Sequence, residues 1–301
     1  MSYAKKFQVV PDSKVKLDAI DPGERGNYAS SEAAEHELAR QVEALVELQA
    51  LLYAEGKSSL LIVLQGTDGA GKDGTIRHVF RGMNPQGTKV QAFKVPTPEE
   101  AAHDFLWRAH KATPGKGEIV IFNRSHYEDV LVVRVHDLVP KKVWSKRYKE
   151  IRAFERNLAD SGTLILKFFL HISSEEQLDR FRKRLDDPQR HWKISESDYA
   201  ERKFWGDYQR AYEDALAETS TDYARWFIIP SNHKWFRNLA ISNIIVDSLR
   251  ALDMKQPPPR IDLKAIRQKY HAAEIAGRNK KPAVMASSDP SESRRSKRPR
   301  A

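Results

Sequence analysis

Short apolar runs and longer stretches of helical periodicity alternate through most of this chain. Strands are expected at 60–65, 89–94, 118–122, 164–170 and 226–229, the first containing the unbroken run Leu60-Leu61-Ile62-Val63-Leu64. Helical periodicity fills the intervals near 98–112, 140–161, 174–186, 196–218 and 234–252. Strands separated by helices specify a parallel sheet covered on both faces. Ahead of the first strand, Leu38, Val42, Leu45, Leu48 and Leu52 share one face of a helix expected from Ser31 to about Glu55, with Gly56 as its stop. The expected organisation is an N-terminal extension over 1–30, polar and turn-rich, then one α/β domain over 31–255. A Pro-rich and then basic tail fills 256–301, where a short amphipathic piece runs to about Ala276 and the remainder is expected to be disordered.

Composition narrows the class. With no cysteine, disulfides and thiolate metal sites are excluded. No apolar run reaches the length of a membrane span and no signal peptide is evident, so a cytoplasmic enzyme without membrane association is expected. The formal charge of +10 implies anionic partners, but residues 276–301 hold +6 of it, eight Lys and Arg against Asp289 and Glu292.

The chemistry is concentrated where the strands end, the place ligands collect in such sheets. After the first strand the chain reads Gly66-Thr67-Asp68-Gly69-Ala70-Gly71-Lys72-Asp73. Glycines let a loop curl its N–H groups inward on phosphate oxygens, and a terminal lysine and the following helix add positive potential. The expected phosphate cradle is Gly69, Ala70, Gly71, Lys72, Asp73, Gly74 and Thr75. Asp73 stands where such loops carry a Ser or Thr that holds Mg²⁺, so Asp68 is the expected metal ligand and Thr75 the nearest hydroxyl. After the third strand come Asn123-Arg124-Ser125-His126-Tyr127-Glu128, where Arg124 can fork onto phosphate oxygens and His126 reads as structural. Arg180 and Arg184, spaced i, i+4 on one helix, and Lys193 beyond Asp186-Asp187-Pro188 have the make-up of a lid over phosphates, at about 178–200.

These motifs together resemble the polyphosphate kinase 2 family. The likeness rests on Gly66 to Ile76, Asn84-Pro85-Gln86-Gly87, Phe93-Lys94-Val95-Pro96-Thr97, Asn123 to Glu128, and Arg184-Leu185-Asp186-Asp187-Pro188 with Trp192-Lys193, and it covers about residues 30 to 255. It implies a P-loop kinase fold similar to thymidylate kinase, a three-layer α/β/α sandwich with a central parallel sheet and a helical lid. It also implies phosphoryl transfer between inorganic polyphosphate and nucleotides, with Mg²⁺ (Mn²⁺ as the substitute). Asp68, Lys72, Arg124 and Arg184 match the family's catalytic positions. Many members have aspartate where this chain has Asn123. Asn123 with Glu128 resembles the class III subgroup, which accepts both nucleoside mono- and diphosphates, so AMP and ADP are the expected acceptors and Asn123 and Glu128 the acceptor-side residues. A homo-oligomer, dimer or tetramer, is expected.

Two other readings share features of the sequence. An ATP-dependent nucleoside monophosphate kinase would have the same fold and loop. A nucleic-acid-binding protein would use the basic tail, but an intact Lys72 loop and a basic lid fit it poorly.

Overall fold

A computed structural model describes residues 2–193 and 195–279. Five strands form one sheet: β1 (Ser59–Gln65), β2 (Thr88–Ala92), β3 (Ile119–Asn123), β4 (Thr163–His171) and β5 (Ala224–Pro230). Their order is β2-β3-β1-β4-β5 and every pairing is parallel. β1 sits at the centre with Leu64 opposite both Asn123 and Phe168, so the loops after β1, β3 and β4 emerge side by side.

The unbroken apolar strands are explained by burial on two sides. Leu60, Ile62 and Leu64 of β1 meet Leu45 and Leu52 of the helix Ser31–Glu55 and Ala240, Ile241 and Ile244 of the helix Lys234–Arg250. Leu61 and Val63 face the opposite way, toward Tyr148, Ile151 and Phe154 of the helix Lys141–Asp160 and Ala211 and Leu216 of the helix Trp205–Thr219. The result is a three-layer α/β/α sandwich. Each fully buried Leu or Ile contributes roughly 1.5–3 kcal/mol against an exposed reference.

Two expected helices are divided. The stretch near 98–112 becomes Pro98–Ala101 and Trp107–Lys111, because Asp104 accepts from the Leu106 N–H and turns the chain between them. The stretch 196–218 becomes Glu196–Arg202 and Trp205–Thr219. The first thirty residues bury Phe7, Val9 and Leu17. Val9 N–H donates to the Trp226 carbonyl (2.8 Å) and Gln8 bridges Phe227 in antiparallel sense, so this segment covers the free edge of β5.

The chain divides after Gln256. Beyond it lies the helix Leu263–Asn279, and the basic stretch from Lys280 onward is outside the described residues. Among the described residues no helix is long and apolar enough to cross a membrane.

Candidate active site

The loop after β1 turns back on itself. Lys72 opens the helix Lys72–Val79, and its ammonium returns to the carbonyls of Gly66 (2.6 Å) and Thr67 (3.4 Å), closing the loop around its own lysine. Burial lowers the Lys72 pKa and Arg124 adds to the effect, while Asp68, Glu128 and Asp73 oppose it. The ammonium is therefore set among three carboxylates and one guanidinium. Gly71 sits at φ 104°, where an L side chain is strained, and a Cβ there would run into the Arg237 guanidinium.

The loop after β3 brings the second group of residues. Arg124 adopts φ 59°, a left-handed backbone rare for a residue with a side chain and costing on the order of 1–3 kcal/mol. Its N–H donates to the Leu64 carbonyl (3.1 Å), which ties the two loops together. Its guanidinium pairs with Asp68 Oδ1 at 2.8 Å. Burial disfavours the Arg124 charge, but Glu128 and Asp68 outweigh it and raise its pKa. Asn123 Nδ2 donates to Asp73 Oδ1 at 2.8 Å. Glu128 lies in the short 3₁₀ turn His126–Asp129, half-buried, its carboxylate without a hydrogen-bond partner among the described residues and acting on Lys72 and Arg124 through its charge. Behind this loop His126 is fully buried, and burial holds its pKa below the ordinary value, as a structural histidine requires. Beside it Lys167 and Glu155, both fully buried, pair at 2.6 Å, with Tyr127 Oη donating to Glu155 at 2.8 Å.

The third group comes from the segment after β4. The helix Ser174–Leu185 begins at Ser173, whose hydroxyl caps the Glu176 N–H, and a 3₁₀ turn Pro188–Lys193 follows it. Arg184 Nη1 lies 3.4 Å from the Lys193 carbonyl and 4.0 Å from Asp198 Oδ2. Lys193 Nζ lies 4.8 Å over the Trp192 ring. Asp198 has its pKa raised by burial and by the charge of Asp68, with Arg184 and Arg124 opposing, so this segment brings a carboxylate as well as the Arg184 guanidinium near Asp68.

Two sequence-based expectations change here. Arg180 does not share the surroundings of Arg184. It is 5% exposed, and its guanidinium makes five hydrogen bonds within the protein, to Glu176, Gly69 O, Ala70 O, Ser231 O and Asn232 O. With every donor spent it braces the loop from behind rather than meeting phosphates. Thr75 is fully buried, and its hydroxyl donates to the Gly71 carbonyl at 3.2 Å, which turns it from the phosphate face into the helix. Three supporting residues had no signature in the sequence. Gln177 Nε2 donates to the Asp68 carbonyl (2.7 Å), Arg237 reaches the Ala70 carbonyl (3.2 Å), and Tyr208 lies within the field of Glu128 and Asp68.

Asp68, the lysine loop, Arg124 and, from the segment after β4, Arg184 and Asp198 thus come together at the carboxyl edge of the sheet. A sequence profile described as Polyphosphate kinase 2 matches residues 28–257. The AMP/ADP-polyphosphate phosphotransferase of Meiothermus ruber is 54% identical over 256 residues, covering 85% of this chain and 96% of the relative. The ADP-polyphosphate phosphotransferase of Rhodopseudomonas palustris is 44% identical over 270 residues, 84% of this chain and 92% of the relative. Among solved structures, polyphosphate kinase 2 from Arthrobacter aurescens superposes with a TM-score of 0.87 at 41% identity, covering 90% of this chain and 97% of that one. Fold, loop and motifs agree with these matches: the chain belongs to the polyphosphate kinase 2 family.

Proposed function

We propose that this protein transfers phosphoryl groups from inorganic polyphosphate to AMP and to ADP, in the cytoplasm and as a homo-oligomer, with Mg²⁺ as the metal. The observation that carries the reading is the gathering of Lys72, Arg124 and a basic lid around Asp68, in a chain more than half identical to a relative named for both acceptors. Phosphoryl transfer needs alignment and neutralised oxygens more than covalent help, and an acceptor that is itself a phosphate needs no general base. Lys72 and Arg124 supply cations at the loop, and Arg184, carried by the lid, supplies a third.

The residues fit a metal held sparingly. One Asp68 oxygen takes Arg124 while the other has no partner among the described residues, and no cluster of three or more His, Asp or Glu suited to a metal occurs among them. Mg²⁺ keeps waters and accepts phosphate oxygens, so one or two carboxylates suffice. When bound, the ion would neutralise charge on the phosphates beside Asp68. The Asn123 amide, bonded to Asp73, keeps a polar contact without an added negative charge, which favours a metal and acceptor arrangement reaching AMP.

The deciding experiment gives the purified protein AMP, polyphosphate and Mg²⁺, with no adenylate kinase added. ADP should appear first and ATP after it, and omission of polyphosphate should abolish both. Good ADP turnover with no product from AMP would leave a diphosphate-specific enzyme and remove the roles given to Asn123 and Glu128.

A further inference from the structure

Beneath the lysine loop lies a buried cation that no carboxylate neutralises. Arg237, in the first turn of the helix Lys234–Arg250, is 1% exposed. Its hydrogen bonds go to neutral oxygens: Nη1 to Ala70 O (3.2 Å), and Nε and Nη2 to Asn238 Oδ1 (3.2 and 2.9 Å). Among the described residues no carboxylate lies within ion-pair distance of it. The charged and titratable groups around it are Arg180 beside it and the exposed Lys234 and His78, with Glu176 already paired to Arg180 at 2.7 Å. Burial and the like charge of Arg180 bring the Arg237 pKa down to about 9, so it remains protonated at neutral pH.

A buried charge without a partner is costly, and removing it ordinarily relieves a fold. The position of this one indicates what offsets it. The Ala70 carbonyl accepts from both Arg180 (2.9 Å) and Arg237 (3.2 Å). In a planar trans peptide the C=O and the next N–H point opposite ways, so pinning the Ala70 carbonyl downward turns the Gly71 N–H toward the phosphate side. Gly71 also has no side chain to separate that face from Arg237.

We infer that Arg237 is a positioning residue for the phosphate chain, fixing the Ala70–Gly71 peptide and supplying from below the loop a positive charge whose counter-charge is the bound polyanion. The inference rests on the phosphoryl-transfer reading above and adds to it a source of phosphate affinity that touches no ligand. A merely structural arginine would lower the stability of the free protein when removed. A cation awaiting its anion behaves differently: its removal leaves the free protein as stable or more so, and takes away the stabilisation that an anion confers.

The test measures the thermal midpoint of the whole protein with and without inorganic tripolyphosphate at matched ionic strength, in wild type, R237M, R237Q and R237K. The expected result is an unlowered midpoint for free R237M and R237Q. Tripolyphosphate affinity should fall at least about tenfold in both, as expected for loss of one unit charge a few ångströms from another in a protein interior. R237K should keep most of the shift. A tripolyphosphate shift of wild-type size in R237M or R237Q overturns the inference. So does a lowered midpoint in the free variants, or failure of Met and Gln variants to fold while R237K folds, since each makes the guanidinium a structural brace. Absence of a shift in the wild type, together with no turnover of polyphosphate, would instead overturn the functional reading itself.

Discussion

Two buried clusters of charge support the two loops of the site, and they are built on opposite principles. Behind the loop after β3, Lys167 spends its three donors on Glu155 (2.6 Å), Tyr127 Oη (2.9 Å) and the Thr219 carbonyl (2.8 Å), so cation and carboxylate cancel inside the protein. Behind the loop after β1, Arg180 has Glu176 but Arg237 has only neutral acceptors. The first cluster is closed: it anchors Tyr127 of the loop after β3 and has no charge left to offer. The second is open, with net positive charge under the glycines. Burial alone therefore does not sort structural charge from functional charge. What distinguishes them is whether the partner lies within the chain.

The closed cluster should be the more fragile in stability. Glu155→Gln leaves Lys167 buried without its counter-ion, and breaking such a pair costs about 3–5 kcal/mol. Urea unfolding should show the loss as a lower midpoint at unchanged slope. A cost under about 1 kcal/mol would mean that the pair is solvated and the contrast with Arg237 has no basis.

Activity should respond most strongly on the open side. Lys72→Ala removes a cation bonded only to carbonyls of its own loop, so the fold should survive. A cation aligned on a transferring phosphate contributes several kcal/mol, so turnover should drop at least about a hundredfold. Circular dichroism alongside steady-state rates checks both halves, and near-normal turnover would remove the loop from the mechanism. A smaller change is expected in the lid. Arg184→Lys keeps the charge but loses the planar fork, and kcat should fall roughly tenfold with KM little changed if the contact forms in the transition state. An unaltered kcat would reduce Arg184 to its contacts with Asp198 and Lys193.

The open and closed clusters differ in how far the sequence foretold them. β1, β3, β4 and β5 were legible because burial requires apolar runs such as Leu60 to Leu64, and the lysine loop because its glycines follow one of them directly; β2, an exposed edge strand, carries no such run. Arg124 was legible from its place after β3. The fate of Arg180 was not. Spacing of i, i+4 puts it on the same helical stripe as Arg184, but one turn advances only about 5.4 Å along the axis. That step separates a guanidinium enclosed beneath Gly69 and Ala70 from one that reaches Lys193 and Asp198. Arg237 left no trace because its bonds to the adjacent Asn238 mark no site, and the acceptor that ties it to the loop, Ala70, is 167 residues away in the chain. Thr75 was misread for a related reason: a threonine inside a first helical turn can satisfy its hydroxyl on the carbonyl four residues back.

The cover over the β5 edge has a consequence in time. Gln8 accepts from Arg225 across 217 residues of chain, and Val9 docks on Trp226 beside it. At a synthesis rate of about 5–20 residues per second, the segment emerges roughly 10–40 s before the strand it covers exists. Throughout that interval Phe7, Val9 and Leu17 lack the surface that will bury them, and β5 must be in place before they can settle. The cover over this edge can therefore take its place only after β5 has taken its own.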